Sequence, residues 1–106
     1  MGNEQKPAQD SDTIVLRREF PLLGLYVAPR TPTERKLAEI WCDALGMDQV
    51  SITDNFEEVG GDSLLAVSIF TSIEAAFAIA VPIGLLARAP TIEQLAKRVD
   101  ELIATR

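Results

Sequence analysis

The chain of 106 residues can form one small domain with a modest core, and its 47% hydrophobic and 25% charged residues are ordinary for a globular protein. A net charge of −6 argues against a nucleic-acid binder, which presents a basic patch, and no apolar run approaches the roughly 20 residues that span a bilayer. With no histidine and one cysteine, the chain cannot build Ser-His-Asp or Cys-His catalysis or an internal disulfide, and the missing histidines argue against zinc chemistry. The unpaired cysteine, with no secretion signal at Met1-Gly2-Asn3-Glu4-Gln5, points to the cytoplasm.

Residues 1–13 are polar and aperiodic, as in a flexible tail. Ile14-Val15-Leu16 and the stretch from Phe20 to Val27 are more apolar, but Pro21 and Gly24 interrupt them. Residues 1–27 are therefore expected to be a partly disordered tail or linker, and 28–106 the folded domain. The first helix has a clear start. Thr31 suits the N-cap, Pro32 the first helical position, and Glu34 completes a capping box. Leu37, Ile40, Trp41, Ala44 and Leu45 then share one face, and Gly46 ends the helix. Cys42 and Trp41 read as packing.

Residues 47–62 make a long connection that must be pinned, with Val50, Ile52, Phe56 and Val59 as the pins. Asp48, Asp54, Glu57, Glu58 and Asp62 load it with negative charge and no base. It closes on Gly60-Gly61-Asp62-Ser63. Asp62 is a good N-cap, and Ser63 then stands in the first turn of a helix, where free amides and the helix dipole favour a phosphate. The glycines leave the serine uncrowded. The same tetrapeptide also suits a plain turn and cap. It is neither a phosphate-binding Walker loop nor a Gly-x-Ser-x-Gly elbow, and no base is present to activate the serine. Ser63 is thus a poor nucleophile by itself and a good acceptor for chemistry brought by another protein.

The second helix is expected over about 63–78, with Glu74 its sole charge. Leu65, Ile69, Ile73 and Phe77 form one row, with Ala66, Phe70 and Ala76 beside it, while Leu64, Val67 and Thr71 fall on a flank. That flank is either an exposed docking surface or the far side of a central, mostly buried helix. Between Pro82 and Arg88 only a short third helix fits. Thr91-Ile92-Glu93-Gln94 opens a last helix to about Ala104, with Ile92, Leu95, Ala96, Val99, Leu102 and Ile103 as its buried stripe. No alternating segment competes, so the expected fold is all-α: a small four-helix bundle with three longer helices, one short third helix and a long loop between the first and second.

Three segments resemble carrier domains of nonribosomal peptide synthetases. Tyr26-Val27-Ala28-Pro29-Arg30-Thr31-Pro32-Thr33-Glu34 with Leu37-Ala38-Glu39-Ile40-Trp41 is similar to their opening. Asp54-Asn55-Phe56 and Gly60-Gly61-Asp62-Ser63-Leu64-Leu65-Ala66 are similar to their core motif, and Ala89-Pro90-Thr91-Ile92-Glu93-Gln94-Leu95-Ala96 to their last helix. The resemblance implies a peptidyl carrier (thiolation) domain of the acyl carrier superfamily. Ser63 would bear covalent 4′-phosphopantetheine derived from coenzyme A, within the motif Gly60, Gly61, Asp62 and Leu64. Leu64, Val67 and Thr71 would meet partners: a phosphopantetheinyl transferase, an adenylation or other loading enzyme, and condensation, tailoring or thioesterase domains. The carrier itself would be a monomer, without metal, nucleic acid or membrane, and would catalyse nothing.

Glu57, Val59 and Ala87 depart from the family's usual residues at packing positions. Leu16-Arg17-Arg18-Glu19-Phe20-Pro21 faintly resembles the end of an adenylation domain. The competing readings are an acyl carrier for polyketide or fatty-acid synthesis and an unmodified helical interaction module in which Ser63 is only part of a cap. Fatty-acid carriers typically have an acidic second helix, and Glu74 alone argues against that reading.

Overall fold

The computed structural model describes residues 14, 16–17, 24–82 and 84–105, and these contain four helices and no strand: α1 (Pro32–Leu45), α2 (Ser63–Phe77), α3 (Leu85–Arg88) and α4 (Ile92–Thr105). The expectations for residues 1–13, for Val15 and for 18–23 lie outside the described residues.

Local chemistry explains each helix end. The Thr31 hydroxyl accepts the Glu34 N–H at 3.0 Å with Pro32 at the first position, and the Glu34 carboxylate reaches back to the Arg30 N–H at 2.8 Å. Gly46 closes α1 at φ 69°, a left-handed conformation that glycine adopts without penalty. At the end of α2, Ala78 takes the same conformation (φ 55°) and its N–H bonds the Glu74 carbonyl at 2.9 Å. The Glu74 carboxylate accepts the Val81 N–H at 2.9 Å, so the one charge on α2 holds the connection to α3. The Thr91 hydroxyl accepts the Gln94 N–H at 3.2 Å to start α4.

Helix α1 packs against both α2 and α4. Leu37 and Trp41 from α1, Ile69 and Ile73 from α2, and Ile92, Leu95 and Val99 from α4 are all fully buried. Each such side chain contributes about 1.5–3 kcal/mol by leaving water. The expected pins of the long loop (Val50, Ile52, Phe56 and Val59) are buried with them, and Met47 joins them. Two expectations need correction, since Leu102 and Ile103 are half-buried where α4 runs to its end. Ala76 is exposed, because only a narrow stripe of α2 is covered.

The loop after α1 is stitched on both sides by backbone bonds. Ile52 donates to the Val27 carbonyl at 3.1 Å, Glu93 donates to Ile52 at 2.9 Å, and Phe56 donates to Pro90 at 2.8 Å. Residues 24–27 and the α3–α4 junction therefore grip the segment that delivers Ser63.

Candidate functional site

Ser63 is the first residue of α2 and is exposed. Its placement follows from three features of the loop. The Phe56 ring meets Trp41 edge-on at 5.5 Å between centroids, which anchors it in the core. Gly61 lies flat against that ring, where an added Cβ would overlap the ring carbons, and its N–H bonds the Phe56 carbonyl at 2.9 Å. Gly60 supplies the positive φ (97°) that turns the chain back over the ring. Asp62 follows as N-cap, its carboxylate accepting the Leu65 N–H at 2.9 Å.

The structure thus brings Gly60, Gly61, Asp62 and Ser63 together as one tight turn. Leu64 and Val67 are 83% and 62% exposed, and Thr71, also exposed, donates its hydroxyl to the Val67 carbonyl at 3.0 Å. Only Ile69 and Ile73 of α2 are fully buried. The flank is open to solvent and is not the far side of a buried helix.

A groove of about 690 Å³ opens beside Ser63, its lining including Phe56, Gly61, Ala66, Phe70, Leu86 and Ala87. An exposed hydroxyl at the positive end of a 15-residue helix, with an adjoining apolar groove, fits a phosphate ester carrying a long flexible arm.

The carboxylates before Ser63 have separate duties. Asp48 and Asp54 accept hydrogen bonds from Arg17, Asp62 caps α2, and Glu57 and Glu58 face solvent. Sequence reasoning placed Arg17 in a linker and missed its partners. The available signal was the loop itself, whose run of carboxylates, Asp54 buried among them, has no cation among the loop's own residues. Cys42 is half-buried against the core, and burial, together with Asp43 and Asp48, pushes its thiol above the ordinary range. It stays protonated and packs. Among the described residues no metal-ligating cluster forms, and no helix is long and apolar enough to cross a membrane.

The family model described as "Phosphopantetheine attachment site" matches residues 35–99, a stretch that contains the turn, the groove, the whole of α2 and α3, most of α1 and the first half of α4. The chain belongs to this family. Its relatives narrow the type. It is 43% identical over 93 residues to chondramide synthase cmdD of Chondromyces crocatus, covering 88% of this chain and 2% of that protein. The chain therefore spans a small fraction of the length of such a synthase. A chain from the complex of the phosphopantetheine transferase Sfp with coenzyme A and a peptidyl carrier protein superposes with a TM-score of 0.69 at 40% identity, over 76% of this chain and 100% of that one. The solution structure of a prototype peptidyl carrier domain of modular peptide synthetases gives 0.64 at 40% identity, over 71% and 99%. This is a phosphopantetheine-bearing peptidyl carrier domain with the four-helix fold of that group.

Proposed function

We propose that Ser63 is the residue that accepts 4′-phosphopantetheine, and that Gly60, Gly61, Asp62 and Leu64 form its recognition turn. The observation that carries this is the exposed Ser63 hydroxyl at the start of α2, fixed by the Gly61–Phe56 contact and opening onto the groove. The Asp62 carboxylate is committed to the Leu65 amide, and the chain has no histidine, so the base for the transfer comes from the transferase. Once attached, the arm supplies a thiol that holds an acyl group as a thioester. The chain's own part is to present the serine, bind its visitors through Leu64, Val67 and Thr71, and return the loaded arm to solvent. It is a non-catalytic carrier.

Likeness to the carrier in the transferase complex supports a phosphopantetheinyl transferase as the first partner. An adenylation or other loading enzyme, then condensation, tailoring or thioesterase domains, follow as partners of a cytoplasmic, monomeric carrier whose four helices lie within residues 28–106. The test is intact mass after incubation with coenzyme A and a broad-specificity transferase. Wild type gains one phosphopantetheine and Ser63→Ala gains none. An unmodified wild type would instead favour an interaction module.

A further inference from the structure

The deepest polar feature outside the serine turn is a buried ion pair between residues 37 positions apart. Arg17 is 8% exposed and Asp54 4%. The guanidinium grips both carboxylate oxygens of Asp54, through Nη1 to Oδ2 and through Nη2 to Oδ1 at 2.9 Å. Nη2 also donates to the Gly24 carbonyl at 2.9 Å, the Arg17 amide donates to Asp48 Oδ1 at 2.7 Å, and the guanidinium lies 5.7 Å from the Tyr26 ring centroid. Asp54 Oδ2 accepts the Ser51 N–H at 3.0 Å as well. Arg17, from before the helical bundle, therefore holds Asp54 and Gly24 with its side chain and Asp48 with its backbone amide.

Asp54 sits two residues before Phe56, the ring on which Gly61 rests, and Gly61 directly precedes the Asp62 cap and Ser63. A shift of Asp54 is passed along this short path to the serine. Removing one member of a buried pair leaves the other charged and unpaired, so without Arg17 the Asp54 carboxylate has reason to leave for water and take the loop with it. We propose that Arg17 is a positioning residue for phosphopantetheine transfer, holding the loop so that Ser63 is presented in its transferable form. The proposal rests on Ser63 being the acceptor. A loop that spends only part of its time in the competent form weakens the apparent affinity of the carrier for its transferase by that fraction.

The test uses the full chain carrying Arg17→Ala or Arg17→Lys, with amide hydrogen exchange and transfer kinetics measured on the same samples. In Arg17→Ala, exchange at Val59, Gly61 and Leu65 speeds up by about tenfold or more while the α4 amides of Leu95 and Val99 keep their protection, as expected of a local opening. KM for the carrier rises by a similar factor, kcat changes little, and KM for coenzyme A is unaltered. Arg17→Lys keeps the charge without the two-pronged grip and recovers part of both effects. Unchanged exchange in the loop, equal loosening of loop and α4, or loop opening with an unaltered KM would each overturn the proposal. A wild type that accepts no phosphopantetheine defeats the Ser63 reading instead, and the exchange comparison still decides whether Arg17 orders the loop.

Discussion

Gly61 is the residue on which the geometry of the serine turn depends most. A methyl group there collides with the Phe56 ring, which is itself wedged against Trp41 and cannot retreat freely. Gly61→Ala is expected to cost about 1–3 kcal/mol, the usual penalty for overpacking, measured as a lower midpoint in urea unfolding. An unchanged midpoint would mean the ring moves aside easily. Glu34 offers a second residue-scale check. Burial pushes its carboxyl up, but hydrogen bonds from the Arg30 amide and guanidinium outweigh that and hold it below the ordinary value. A lowered folded-state pKa adds stability that is complete above the unfolded value of about 4.3 and is lost as pH falls through the folded one. Glu34→Gln should therefore lower stability at neutral pH and flatten its decline below about pH 4. Parallel curves for the two proteins would remove this role.

At the scale of elements, helix boundaries were readable because caps act over three residues. Thr31 to Glu34, Asp62 to Leu65 and Thr91 to Gln94 are all contacts within a single turn. What the sequence could not show was depth. Ala76, Leu102 and Ile103 share the spacing of buried residues, yet burial depends on how much of each helix a neighbour covers. For α2 the covered stripe is narrow, which leaves Leu64 and Val67 largely exposed to water. Val67→Asp should change stability by no more than about 0.5 kcal/mol, as exposed positions generally do, while slowing transfer from a loading enzyme. Unimpaired transfer in a stably folded variant would take Val67 out of the docking face.

At the scale of the whole molecule, the three longer helices bury one core and the long loop completes it, so the site is built on a rigid frame rather than a free connection. Local signals carried the helices and the position of Ser63. The Arg17–Asp54 pair and the groove did not show in the sequence, since both join segments far apart in the chain and follow no period. The excess of acids before Ser63 hinted at the first, and nothing hinted at the second. The frame also limits where modification can occur, because Ser68 and Ser72 are exposed on the same helix but stand in its interior, away from the free amides at its start. Fragmentation mass spectrometry of the transferase-treated chain tests this most directly. A single phosphopantetheine on Ser63 is the expected result, and a modification found on Ser68 or Ser72 would contradict the assignment of Ser63 as the acceptor.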